Sequence, residues 1–211
     1  PPRSTPLYSS AASDVYKRQD LFNLFFQQLR PVFDGREEDT TEENIQARIR
    51  GTLLMAISNK TGSIVLTTGN KSEIAVGYST LYGDMVGGFS AIKDIPKMLV
   101  YELAKYRNKL SPVIPERVFS RAPSAELAPD QEDQQSLPNY EILDGILKLY
   151  VEDDKTIEDI VEKGYDRETV EDIVLRVTKN EYKRRQAAPG VRISKRAFGR
   201  DRRYPITSFF I

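Results

Sequence analysis

The sequence predicts an α/β fold with a parallel sheet flanked by helices. Three observations predict it. The run SIVLTT (63–68) is continuously apolar at its centre rather than alternating, as in a parallel strand covered on both faces. Gly69 follows, then a short helical stretch from Lys71 to about Gly77, so strand, glycine turn and helix form one βα unit. Segments 43–59, 90–108, 139–154 and 166–186 read as helices around it.

Composition narrows the chemistry. The chain has 211 residues, enough for one domain with its own core. Lys and Arg total 31, as do Asp and Glu, so only the distribution of charge is informative. No apolar run approaches the length of a membrane span, and the opening residues lack the charged-then-apolar form of a signal peptide. With no Cys there is no disulfide framework, thiolate metal site or cysteine nucleophile. With no His there is no His-based triad, and the commonest zinc ligand is missing. Carboxylates, Lys, Arg, hydroxyls and backbone amides remain, a set suited to phosphate handling with a hard cation such as Mg²⁺.

Residues 1–19, PPRSTPLYSSAASDVYKRQ, show no apolar period. SSAASDVYKRQ is also the translation of a transposase-type sequencing adapter, so 1–19 are expected to be foreign and 20–211 to be the native part of one domain. LFNLFFQQLRPVF (21–33) is apolar enough for a buried helix ending before Pro31. An acidic loop follows, and Thr40 or Thr41 can cap the next helix, with Ile45, Ile49, Leu53 and Ile57 on its apolar face. In 90–108, Asp94 is the expected N-cap, Pro96 lies in the first turn, and Leu99, Leu103 and Tyr106 form a stripe. Residues 109–139 read as loop with one short helix. Tyr140, Leu143, Leu147 and either Tyr150 or Ile146 share one side of the next helix. Thr156 and Asp159 form a capping box, and Asp166 caps one longer helix over 166–186.

Ligands of parallel α/β sheets bind beyond the carboxyl ends of the strands. VLTTGNKSE places Thr67, Thr68 and Asn70 there, and the amino end of the next helix, with free N–H groups, favours an anion. Glu73 lies about one turn into that helix, where it could hold a cation or a ribose hydroxyl. The same residue types also suit an ordinary βα turn. Asn44 and Arg48 in NIQAR share a helical face, able to read a phosphate or carboxylate or simply to face water. The basic stretch 181–204 fits a nucleic-acid or membrane patch, a lid over phosphates, or a solvated tail. Tyr182, Phe198 and Tyr204 within it favour packing.

ENIQARIRGTLLMAISNKTGSIVLTTGNKSEIAVGYSTLYGDMVGGFSAIKDIPKMLVYELAKYRN, together with IPERV, NEYKRRQAAPGV and KRAFGRDRRYPIT, resembles the synthetase domain of glutamine-dependent NAD⁺ synthetases. The resemblance runs from about residue 20 to the carboxyl end. It implies an adenine-nucleotide α-hydrolase-like fold, incomplete in this chain, and a carbon–nitrogen ligase. Such an enzyme adenylates the nicotinate carboxylate of deamido-NAD⁺ with Mg-ATP, and ammonia from glutamine then displaces AMP. Thr68 and Lys97 match ATP contacts of the family; Asn44, Arg48, Glu73 and Lys183 match deamido-NAD⁺ contacts; Glu73 is also similar to a Mg²⁺ ligand in ammonia-dependent relatives. Leu81, Ser124 and Tyr182 stand where those relatives carry Lys, Thr and His, which points to the glutamine-dependent branch. The family's Ser-Gly-Gly-x-Asp-Ser phosphate loop and its glutaminase domain are expected upstream of residue 20, so the chain alone is expected to be inactive. A cytoplasmic enzyme that self-associates, with no nucleic-acid or membrane partner, is the expectation. The alternatives are another ATP-pyrophosphatase-type ligase or a non-catalytic protein binding nucleic acid through 181–204.

Overall fold

The computed structural model describes residues 11–125, 127 and 132–207. Residues 1–10, within the segment expected to be foreign, lie outside the described residues, as do positions 126 and 128–131 of the acidic loop. Helix α1 (Ala11–Phe33) lies against α2 (Thr40–Thr61). Strand β1 (Leu66–Thr67) leads into α3 (Lys71–Val76), and β2 (Phe89–Ser90) precedes α4 (Lys97–Leu110). The short α5 (Arg117–Ser120) is followed by α6 (Tyr140–Leu147), whose last turn widens into a π-helical turn over Lys148–Glu152. Helices α7 (Ile157–Val161), α8 (Arg167–Lys179) and α9 (Glu181–Arg185) complete the order.

The two strands pair in parallel, Leu66 with Phe89 and Thr67 with Ser90. The expected βα unit is therefore present, with Asn70 capping α3 through a capping box with Glu73. The strand is shorter than SIVLTT and is covered on one face only: Thr67 is buried, whereas Ile64 and Leu66 are exposed. The hydrophobic core lies on the other side of α3. Ala75 and Val76 meet Leu143, Ile146 and Leu147 of α6, Ile160 of α7, and Val170, Ile173, Val174 and Val177 of α8. These residues recur at helical spacing on their own elements, which is why α3, α6 and α8 pack as a layer.

Several expectations are corrected. Helix α1 runs through Pro31, and its apolar residues are not a buried core: Leu24, Phe25 and Val32 are at least half in solvent, while Leu21, Phe22, Phe26, Leu29 and Phe33 are partly buried. Pro31 lies in the last turn, where it removes one i→i−4 hydrogen bond shortly before the helix stops at Asp34 and Gly35 in left-handed backbone. The α2 cap is Asp39, which accepts from the Thr41 amide at 2.7 Å, not Thr40 or Thr41. Ile45 and Ile49 are core, but Leu53 and Ile57 further along the same stripe are exposed, as are Leu99, Leu103 and Tyr106 of α4. Asp94 does not cap α4; its carboxylate instead accepts from the Ile193 and Ser194 amides, both at 2.7 Å. The helix expected over 166–186 breaks at Asn180, whose side-chain amide donates to the Val76 carbonyl at 3.0 Å.

A candidate nucleotide-binding cleft

A cleft of about 550 Å³ opens beyond the carboxyl end of β1. Asn44 enters it from α2, Thr68 from the end of β1, Glu73 from α3, Lys97 from the start of α4 and Lys183 from α9. Five of the six residues singled out in the sequence thus share one cavity. Arg48 does not join them: it is exposed, and its Nε donates to the Leu81 carbonyl at 3.2 Å. The face of α2 that lines the cleft is Thr40, Glu43, Asn44, Ala47 and Arg50, a helical spacing that leaves Arg48 off it. That rotation is set by close packing. A Cβ on Gly51 would come within 2.8 Å of the Tyr82 carbonyl oxygen, and one on Gly83 within 2.8 Å of the Ala47 Cβ.

Four of the predicted side chains, Asn44, Glu73, Lys97 and Lys183, are held by hydrogen bonds, whereas Thr68 is exposed. Asn44 Oδ1 accepts from the Thr80 hydroxyl at 2.8 Å, and the Thr80 amide donates to Asp84 Oδ1 at 2.6 Å. Lys183 Nζ donates to the carbonyls of Gly77 and Ser79 at 2.7 and 2.8 Å. Burial lowers the Lys183 pKa, with Asp84 opposing that shift. Lys97 Nζ donates to Glu73 Oε1 at 2.8 Å and lies 5.1 Å from the Tyr140 ring centroid, a cation–π contact. Burial alone would lower the Lys97 pKa; the adjacent Glu73 carboxylate outweighs it and raises the value.

Three lining groups escaped the sequence reading. Arg50 lies on the α2 face of Glu43 and Ala47. Asp84 follows the Tyr-Gly turn, and burial raises its carboxyl despite the Thr80 amide. Asp133 comes from the loop before α6: it is buried, Oδ2 accepts from the Tyr140 hydroxyl at 2.7 Å, and Oδ1 has no partner among the described residues. Burial, then the Asp133 carboxylate, pushes the Tyr140 hydroxyl well up, so it stays a donor. Nothing in the sequence marks Asp133 among its acidic neighbours.

The anion-binding helix terminus expected at α3 is corrected. The Lys71 amide donates to the Ile95 carbonyl at 2.9 Å and the Glu73 amide to Asn70 Oδ1 at 3.0 Å, so two of the three first-turn amides are already engaged. Glu73 itself is bonded through Oε1 to Lys97 and through Oε2 to the Asn70 amide at 3.4 Å. Among the described residues no three side chains converge as a metal cage.

The basic segment 181–204 is folded onto the domain and largely neutralised. Arg184 is buried against Glu181 at 3.0 Å; Lys195 pairs with Asp153, Arg196 and Arg202 with Asp154, and Arg192 with Asp201. Tyr204 is buried and Phe198 packs on the core, as expected, whereas Tyr182 is exposed.

A parallel strand end, a glycine turn and a polar cleft rich in both charges define a nucleotide-type α/β domain of the adenine-nucleotide α-hydrolase-like class. The family model described as NAD synthase matches residues 11–187, and the chain belongs to that family. The match begins inside segment 1–19 and spans the whole cleft. The chain is 63% identical over 190 residues to a protein named glutamine-dependent NAD(+) synthetase from Acinetobacter baylyi, an alignment covering 89% of this chain and 35% of that protein. It thus spans about a third of the length of that relative. Among solved structures, an NMN synthetase from Francisella tularensis superposes with a TM-score of 0.63 at 25% identity, over 78% of this chain and 60% of the other. A glutamine-dependent NAD(+) synthetase from Cytophaga hutchinsonii gives a TM-score of 0.67 at 20% identity, over 90% of this chain and 33% of the other, which supports the fold. Among the described residues no helix is long and apolar enough to cross a membrane.

Proposed function

We propose that this chain is the synthetase part of a glutamine-dependent NAD⁺ synthetase. A nicotinate carboxylate oxygen of deamido-NAD⁺ attacks the α-phosphorus of ATP, and the bond to pyrophosphate breaks. Ammonia then attacks the acyl carbon, the bond to AMP breaks, and the nitrogen loses a proton to leave the amide. A carboxylate is a poor electrophile, so the mixed anhydride is what makes the second step possible. The enzyme's task is to orient two anionic substrates and to balance their charge. Magnesium arrives with the nucleotide as Mg-ATP.

One observation carries the reading: Thr68 and Glu73 of one βα unit converge on a single cleft with the sequence-distant Lys97 and Lys183. On this reading Thr68 and Lys97 meet ATP, while Asn44, Glu73 and Lys183 meet deamido-NAD⁺. Arg48, outside the cleft lining and bonded to the Leu81 carbonyl, reaches deamido-NAD⁺ only after leaving that partner, and Glu73 contacts metal only as part of bound Mg-ATP.

The whole activity belongs to a longer protein. This sequence contains no Ser-Gly-Gly-x-Asp-Ser loop, and ammonia from glutamine requires a glutaminase domain. The 211-residue chain alone is therefore expected to bind its substrates weakly without turnover. The functional test is a product assay on the full-length enzyme with ATP and ammonium. Amide formed from deamido-NAD⁺ supports the assignment; amidation of a purine nucleotide or of aspartate instead would assign another ligase of this class.

A further inference from the structure

We propose that Ser72 and Asp144 are positioning residues for Lys97, together forming the amino-terminal cap of α4 from outside the helix. The proposal rests on the reading that Lys97 meets the nucleotide.

Helix α4 starts at Lys97 behind Pro96, a residue with no side-chain group to cap the free amides of the first turn. Two distant residues supply what Pro96 cannot. The Lys97 amide donates to Ser72 Oγ at 2.8 Å, and the Met98 amide donates to Asp144 Oδ2 at 2.9 Å. The Ser72 hydroxyl in turn donates to Asp144 Oδ1 in a very short contact. Ser72 thus accepts from one partner and gives its single proton to the other, which fixes its rotor. The serine is fully buried, so water cannot replace either bond. The Asp144 carboxylate also places negative charge at the positive end of α4.

The origin of these two residues gives the cap its consequence. Ser72 precedes Glu73 in α3, and Glu73 is the ion-pair partner of Lys97. Asp144 lies on α6 with Tyr140, whose ring the Lys97 ammonium faces at 5.1 Å. The two helices that fix where α4 begins are the same two that flank the ammonium in the cleft. Displacing the cap therefore moves Lys97 relative to both of its neighbours at once.

Steady-state kinetics of NAD⁺ formation by the full-length enzyme test this with a double-mutant cycle. Ser72→Ala is expected to raise the KM for ATP about fivefold to tenfold, the scale of a lost cap, with the KM for deamido-NAD⁺ changed less than about twofold. In a Lys97→Met background, Ser72→Ala is expected to add nothing further. Asp144→Ala should act in the same direction, and Asp144→Asn, which keeps an acceptor for the Met98 amide, should restore most of the loss. Effects of Ser72→Ala and Lys97→Met that simply multiply, or a Ser72→Ala enzyme with an unchanged KM for ATP, would overturn the positioning role. An unchanged KM for ATP in Lys97→Met alone would remove Lys97 from nucleotide binding, overturning the functional reading and the proposal with it.

Discussion

Glu73 Oε1 and Lys97 Nζ lie 2.8 Å apart inside the cleft, although 24 positions separate them in sequence. Glu73 comes from the helix after β1 and Lys97 from the helix after β2, so the pair reports that both βα turns deliver their side chains to one place. Each residue is about four-fifths buried, so the pair is shielded from the screening that weakens surface ion pairs. A negatively charged ligand entering the cleft competes with Glu73 for Lys97, and a cationic or hydroxyl-bearing one competes with Lys97 for Glu73.

Lys183 joins the cleft to the turn after α3. Its ammonium donates to two carbonyls of that turn, so the lysine both shapes the wall and presents charge to the cavity. Lys183→Met is expected to weaken deamido-NAD⁺ binding by about tenfold or more, the loss of a charge-assisted contact. Titration calorimetry of the full-length enzyme checks it. Lys183→Arg is not expected to restore affinity, because a planar guanidinium cannot reproduce the two-carbonyl geometry.

Gly77 is the residue that lets α3 end against Asn180. Its φ is +72°, and an added Cβ would lie 2.0 Å from the Asn180 side chain. Gly77→Ala is therefore expected to destabilise the domain by about 1–3 kcal/mol through strain and displacement of Asn180. Urea unfolding of the 211-residue chain measures it, and Asn180→Gly on the Gly77→Ala background should recover part of the loss.

The Glu181–Arg184 pair is almost fully buried, and Arg184 also donates to the Ala75 and Val177 carbonyls. Its guanidinium carbon lies 4.6 Å from the Phe198 ring centroid, which ties the carboxyl-terminal segment to the core. Glu181→Ala leaves a buried cation without its counter-charge, a loss on the order of 3–5 kcal/mol. The expected readouts are a lowered urea midpoint and faster proteolysis within 187–207.

How much of this was legible in the sequence follows from how local each feature is. The turn TTGNKSE and the Thr156–Asp159 box were readable, because capping geometry is set within four residues. The core positions of α6 were readable from their period. The choice of Arg50 over Arg48 was not, since the rotation of α2 depends on Gly51 and Gly83 meeting across the chain. Leu99, Leu103 and Tyr106 read as core because spacing reports an apolar face without reporting what covers it. The break at Asn180 was missed because it is a tertiary event: the Asn180 side chain leaves α8 to bond the end of α3. The cap at Pro96 was hidden likewise, since Ser72 and Asp144 approach from other helices.

Asp84 gives the cleft a pH dependence. Burial raises its carboxyl above the ordinary 3.8. A raised carboxyl favours the folded state when protonated, so its contribution is fully present below 3.8 and is lost as pH rises through the folded value. Asp84→Asn removes that loss. The variant is expected to be more stable than the parent near pH 7 and to converge with it towards about pH 3, in urea titrations run across that range. An equal offset at every pH would show that the carboxylate carries no burial penalty.

The most direct test of the enzymatic assignment is the rate of amide formation from deamido-NAD⁺, ATP and ammonium by the full-length enzyme carrying Glu73→Ala. Loss of about a hundredfold or more is expected, since the change removes the proposed substrate contact and leaves Lys97 without its Glu73 partner in the cleft. Turnover close to that of the parent would contradict the placement of both substrates in this cavity.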